Sequence, residues 1–419
     1  MSAPDTTTES AKSAALHSGA TLGFDDDRLR RISTHFAKYV DDGRLPGWQV
    51  QVARGGEVVY RDSYGKRDLE NDLPIEEDTV FRIYSMSKPI TSVAAMMLYE
   101  EGEFELTDSI AKYIPAFSDM QVLAGGSSVK PKMRPADGQI QIRHLLNHTA
   151  GLTYGFHYVH TQDELYRKAG FEWGVPKGAT SQEAVDAWAK LPLRFDPGTR
   201  WNYSVATDVV GRLIEVISGQ PLDEFFQERI FAPLGMKDTA FRLRPDLDDR
   251  LAALYIPGPN GKATRNDAFG SAVRGDVSFL SGGGGLISTT DDYQRFVDML
   301  LGGGERDGVR LLGSRTVDYM TTNSLPDGQD LAEFGIPLDA ETVYDGVGFG
   351  LGFSVMEDPI AYGALSSVGE YGWGGAASTA FWVDPIEDLT VIFMTQLLPS
   401  SLYPIRTQLK QLVYSALVD

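Results

Sequence analysis

The chain has 419 residues, 42% of them apolar, enough for two domains or one large domain carrying an insert. Its net charge of −20 argues against nucleic acid and anionic membrane surfaces as partners. It has no cysteine, which excludes disulfides, thiol catalysis and thiolate metal sites; its six histidines show no metal-ligand spacing, so neither metal nor cofactor is expected.

Residues 1–24 are polar and rich in Ser, Thr and Ala. They lack the apolar core of a secretory signal, so they read as a disordered tail and a cytoplasmic location follows by default. Residues 25–42 read as a helix: Leu29, Ile32, Phe36 and Tyr39 make one apolar stripe, and Gly43 ends it. Residues 48–54 and 57–64 alternate around Gly55-Gly56 as a β-hairpin. A long helix runs from about Ser85 to Glu101. The middle region is richer in helix and loop. Residues 119–139 read as a Gly/Pro/Lys loop, 161–169 and 181–191 as helices, 206–218 as a strong helix capped by Gly219, and 222–230 and 290–301 as two more. Residues 350–356, 379–384 and 389–396 read as strands and 400–418 as a closing helix. No apolar run approaches the ~20 residues of a membrane span.

Strands thus fall at both ends and helices in the middle. The expected class is α+β (α/β sandwich): an antiparallel sheet from both termini, flanked by helices, with an inserted mainly helical domain. The expected division is 25–104 with 346–419 for the sheet domain and 105–345 for the insert, the site lying at their junction.

The stretch Phe81-Arg82-Ile83-Tyr84-Ser85-Met86-Ser87-Lys88-Pro89 carries the sharpest chemical signal. A Ser and a Lys three residues apart on a helix share a face, and a neutral Lys can take the Ser proton. Pro89 lacks a backbone N–H and fits only in a first turn, so the helix starts close to Ser85. The positive end of the helix dipole there favours an alkoxide. S-x-x-K also occurs at Ser109/Lys112 and Ser127/Lys130, against roughly one match expected by chance. Only the copy at Ser85 has a strand before it and a long apolar helix behind it.

Two later stretches could complete such a site. Pro197-Gly198-Thr199-Arg200-Trp201-Asn202-Tyr203-Ser204-Val205 presents Tyr203 on a turn, suited to a proton relay. Gly372-Trp373-Gly374-Gly375-Ala376 is small enough for backbone N–H groups to approach a ligand. This order of motifs resembles the serine β-lactamase and penicillin-binding-protein superfamily. It is most similar to the bacterial family VIII carboxylesterases, which share the class C β-lactamase fold. Leu145-Leu146-Asn147-His148-Thr149-Ala150-Gly151-Leu152, Gly283-Gly284-Gly285-Leu286-Ile287-Ser288-Thr289 and Gly348-Phe349-Gly350-Leu351-Gly352 support the likeness, which runs from about residue 25 to the end.

The resemblance implies Ser85 as nucleophile, Lys88 as the group that holds and accepts protons, and Tyr203 as general base and then acid. It implies an oxyanion hole from the N–H groups of Ser85 and Ala376. Two departures matter. Val205 stands where class C β-lactamases have Asn, and Trp373 where they have the Lys of K-T-G. Trp373-Gly374-Gly375 removes a cation and adds an apolar wall, which suits uncharged esters. With Val205, Tyr154, Phe156 and Tyr158 these residues are the expected substrate contacts. His148 is expected to be structural. The expected partner is a small-molecule ester of short to medium acyl length. The alternatives are acyl transfer through the same residues, β-lactam or D-Ala peptide hydrolysis, and a non-catalytic penicillin-recognition-like binding module.

Overall fold

The computed structural model describes residues 19–275, 277–337 and 343–419. Its centre is an eight-stranded sheet. We number its strands β1 Gly47–Arg54, β2 Glu57–Asp68, β3 Leu73–Pro74, β4 Val347–Phe349, β5 Ser354–Met356, β6 Tyr371–Gly374, β7 Ala380–Asp384 and β8 Leu389–Met394. The order is β4-β5-β6-β7-β8-β1-β2-β3, with every pairing antiparallel. Strands from both ends of the chain meet where β1 pairs β8, with Val50 opposite Phe393 and Gln51 opposite Ile392.

Alternation along the strands explains why helices cover both faces. On one face Leu389, Val391 and Phe393 join Trp48, Val50 and Val52 in a core with α1 Asp26–Asp41 and the C-terminal helix Ile405–Tyr414. On the other face Ile392, Met394, Phe381 and Val383 join a second, larger core. That core takes in Tyr293, Phe296 and Val297 of helix Thr290–Leu301, the apolar side of α2 Ser87–Glu100, and Val209, Leu213 and Ile214 of α3 Ala206–Ser218. A strand buried on both faces loses the polar half of its alternation, as residues 389–394 do.

Several elements differ from expectation. Residues 1–18 of the expected tail lie outside the described residues. Residues 19–24 are ordered: Gly19–Leu22 form a helical turn, and Phe24 is buried and bridges Leu417. The expected loop 119–139 contains a hairpin, Gln121–Gly126 against Pro131–Pro135, whose second strand is largely exposed and so shows no apolar face. Of the expected strand 350–356 only Ser354–Met356 is a strand, because residues 350–353 form the bend that joins it to β4. Tyr371–Gly374 is a strand inside the sheet although half its residues are glycine. The closing helix begins at Ile405, after Pro404, and ends at Tyr414. Among the described residues no helix is long and apolar enough to cross a membrane.

Candidate active site

Ser85 sits in a tight helical turn, Tyr84–Met86, between the short strand Phe81–Arg82 and α2. The turn is reached through Tyr84, whose φ of 44° is uncommon for a non-glycine residue. Residues held in such conformations cluster at functional sites and cost about 1–3 kcal/mol. Pro89 occupies the third position of α2, within the first turn as its missing N–H requires.

Lys88 is 2% exposed, and its side chain reaches back along α2. Its Nζ donates to Ser85 Oγ at 3.2 Å and to the Gly283 carbonyl at 2.6 Å. Nζ also lies 4.6 Å from the Tyr203 ring centre and 5.5 Å from that of Tyr154. The other two S-x-x-K pairs are not built this way. Lys112 bonds Asp108 at the surface while Ser109 caps a short turn, and Ser127 accepts the Lys130 N–H in the turn of the exposed hairpin.

The glycine run 282–285 supplies a backbone wall beside Lys88. Gly283 accepts from Lys88, and its N–H donates to the buried Asp208 carboxylate at 2.9 Å. Asp208 also accepts from Ser281 Oγ at 2.6 Å. A side chain at 283 would collide with Asp208, its Cβ only 2.7 Å from the carboxylate. Burial raises the Asp208 carboxyl above its usual range, and the charge of Lys88 works against that rise. The sequence reading missed Asp208; it falls in the first turn of α3, where an acidic residue reads as helix chemistry.

Tyr203 is held on a braced turn. Asn202 Nδ2 donates to the Leu152 carbonyl at 2.8 Å, and Ser204 Oγ accepts the Ala206 N–H at the start of α3. Trp373 Nε1 donates to the Tyr203 hydroxyl at 3.3 Å, and the two rings lie 5.4 Å apart. His148 is buried, with Nδ1 3.3 Å from Ser204 Oγ and its ring 4.9 Å from that of Tyr203. Burial holds its pKa well below the ordinary value, and the positive charge of Lys88 pushes the same way. It is therefore a neutral packing group behind Tyr203.

The glycines on either side of Trp373 answer to close backbone approach. A Cβ at Gly372 would meet the Phe381 carbonyl at 2.3 Å, and one at Gly375 the Ile83 carbonyl at 2.4 Å. Gly375 thus lets the turn carrying Ala376 lie against the segment leading into Ser85. Arg406, on the C-terminal helix, braces that turn: its Nη2 donates to the Thr379 carbonyl at 3.3 Å and the Gly375 carbonyl at 3.5 Å. Nothing in the sequence pattern linked Arg406 to this turn, because the two meet only through the fold.

The expected substrate contacts separate into two groups. Tyr154 and Phe156 join Tyr203 in one aromatic series, while Tyr158 stands outward, its hydroxyl donating to Glu172 and the Arg167 guanidinium over its ring. Val205 is 4% exposed and packs into the larger core at the start of α3. Arg82, a neighbour of Ser85 that could have met a substrate anion, is buried and donates to the Gly270 and Ala252 carbonyls. Among the described residues no group of three or more His, Asp or Glu could hold a metal ion.

Residues 32–414 match the Beta-lactamase family, and the chain belongs to it. Protein Rv1367c of Mycobacterium tuberculosis is 37% identical over 363 residues, covering 86% of this chain and 88% of its own. Esterase EstB of Burkholderia gladioli is 30% identical over 385 residues, covering 87% and 89%. The solved structure of EstCE1, described as a hydrolase with promiscuous acyltransferase activity, superposes with a TM-score of 0.77 at 27% identity, covering 93% of this chain and 99% of its own. EstB and EstCE1 support the expected place among family VIII esterases.

Proposed function

We propose that this protein is a serine carboxylesterase working through an acyl-Ser85 intermediate. The observation that carries the reading is Lys88 Nζ, buried and 3.2 Å from Ser85 Oγ, under the ring of Tyr203. Ser85 Oγ bonds to the ester carbonyl carbon, its proton passing to the Lys88–Tyr203 pair. The carbonyl oxygen takes the negative charge, facing the N–H groups of Ser85 and Ala376; one such donor is typically worth ~100- to 1000-fold in rate. The carbon–alkoxy bond then breaks, and Tyr203 gives a proton to the leaving oxygen. Water repeats the sequence to free the acid. Asp208 acts as a positioning residue, fixing through Gly283 the carbonyl that orients Lys88.

Trp373 beside Tyr203 puts an apolar ring where a K-T-G lysine would stand, which suits neutral esters of short to medium acyl length and disfavours β-lactams. Acyl transfer to an alcohol uses the same steps with the alcohol in place of water, and the description of EstCE1 favours it as a second reading. The charge of −20 fits a small-molecule enzyme without a nucleic-acid partner, and we place it in the cytoplasm.

A fluorophosphonate probe and a panel of acyl esters test the reading together. The protein should be labelled and should turn over butyrate esters. Ser85→Ala should lose both without a fall in melting temperature. Lys88→Ala should lose several decades of kcat, since such groups act as a unit. Lys112→Ala and Lys130→Ala should be nearly silent. Turnover retained in Ser85→Ala would sink the proposal.

A further inference from the structure

The loops beyond Tyr203 leave large rings in water where no core requires them. Trp173 is 59% exposed and Phe269 44%. They lie in separate chain segments, yet both belong to one series of rings that starts at Tyr203. Tyr154 lies 5.4 Å from Tyr203, Phe156 stacks 4.7 Å from Tyr154, Trp173 stacks 5.8 Å from Phe156 with planes 8° apart, and Phe269 meets Trp173 edge-on at 5.3 Å.

Each ring is braced from behind. The Gly155 carbonyl accepts from Arg167 Nη1 at 2.6 Å, and a Cβ at Gly155 would lie 2.2 Å from the Phe171 carbonyl. Phe171, two residues before Trp173, is buried against Trp188 at 5.4 Å. Phe269 precedes Gly270, whose carbonyl accepts from buried Arg82 Nε at 3.0 Å. A single exposed apolar side chain needs no explanation, whereas a fixed, connected series ending at a reacting centre has the character of a binding surface.

We propose that Phe156, Trp173 and Phe269 form a subsite for the alcohol portion of the ester, and that this portion is apolar and aryl or polycyclic. The proposal rests on the esterase reading. In that reading the acyl carbonyl is fixed between Ser85 and the Ala376 turn, while Tyr203 hands its proton to the leaving alkoxy oxygen. The group attached to that oxygen therefore begins where the ring series begins. Flat rings stacked on flat rings favour planar occupants. To one side of Trp173 the surface turns polar at Tyr158, Glu172 and Arg167, which bounds the apolar stretch.

Two ester series on the full-length protein test this. One holds acetate constant and varies the alcohol from ethanol through phenol to 2-naphthol. The other holds ethanol constant and varies the acid from acetate to octanoate. Ratios of variant to wild type cancel the intrinsic reactivity of each ester. Trp173→Ala should lose at least about tenfold in kcat/KM on 2-naphthyl acetate, and Phe269→Ala about threefold. Both should stay within about twofold on ethyl acetate and across the acyl series. In addition, 2-naphthol should inhibit ethyl acetate hydrolysis by the wild type more strongly than by Trp173→Ala, and Trp173→Phe should restore most of the difference. Equal losses on ethyl acetate, or losses that follow acyl length, would overturn the subsite while Ser85-dependent turnover left the esterase reading standing.

Discussion

The rings of the sheet core and the rings that run outward from Tyr203 are the same residue types put to opposite uses. Under α1, Phe36, Trp48 and Phe393 are wholly buried, with Phe36 5.0 Å from Phe393 and 6.1 Å from Trp48. Beside Tyr203, the series through Phe156 and Trp173 runs outward until its members stand in water. Burial of apolar area stabilises the first group and leaves the second mostly unrewarded until a ligand covers it. The comparison separates residues that hold the molecule together from residues kept for an occupant.

Truncation should expose that difference most strongly. Phe393→Ala should cost about 3–5 kcal/mol, since it removes a ring packed on all sides and leaves a cavity. The protein that remains folded should turn over esters at close to the normal rate. Trp173→Ala should change stability by less than about 0.5 kcal/mol. Chemical denaturation of the two variants beside wild type measures both numbers. A comparable loss at Trp173 would mean that the outward rings are structural after all, and the comparison would fail.

Much of this division can be read in the chain itself, and the rest fails for physical reasons. Leu29, Ile32, Phe36 and Tyr39 announce α1 by period, and they are its buried face. Residues 389–394 announce a strand but not its neighbours, because pairing with β1 spans most of the chain. Among three S-x-x-K copies the strand before Ser85 and the apolar helix behind it already single out that one, and the fold places only Lys88 on its serine. Asp208, Arg406 and Trp173 carry no local pattern. The first reads as helix chemistry, the second meets its turn only in three dimensions, and the third lies in a loop where exposure cannot be foreseen.

Charge at the site sharpens the comparison further. A cephalosporin brings a carboxylate as well as a carbonyl. By the resemblance Trp373 stands where a lysine would meet it, and Arg82 donates to two backbone carbonyls. Losing one charged contact typically removes ~2–3 kcal/mol, or about two decades of rate. Cephalosporin kcat/KM should therefore fall about two decades below that of a butyrate ester. Near-equal values would point to another cation, and Arg406 behind the Ala376 turn is the first to replace.

The smallest expected effect concerns protons, and again the two regions differ. Burial lowers His144 and His157 to about 4, and lowers His148 well below its ordinary 6.5. All three belong to the 144–157 segment that braces Tyr203 and Tyr154, while the sheet core under α1 rests on apolar burial. A depressed histidine stays neutral in the fold while the unfolded chain takes up a proton. Below pH 6.5 the unfolded state therefore binds more protons, and stability falls as pH falls, until about pH 4 for His144 and His157. For a fully buried histidine the slope approaches about 1.4 kcal/mol per pH unit. Carboxylates held low by partners, such as Asp108 and Asp196, lose their contribution only below the ordinary 3.8, outside that window. Urea midpoints taken between pH 7 and pH 5 should decline steadily. His144 Nδ1 accepts the Gln141 N–H at 3.2 Å, a bond that His144→Gln can mimic without a titrating group. That variant should show a shallower decline. Asp208, Asp292 and Asp298, which burial raises, gain stability as pH falls and oppose the decline equally in both proteins, so the difference between them is the test. A His144→Gln profile as steep as that of wild type would mean that this imidazole takes up its proton within the fold.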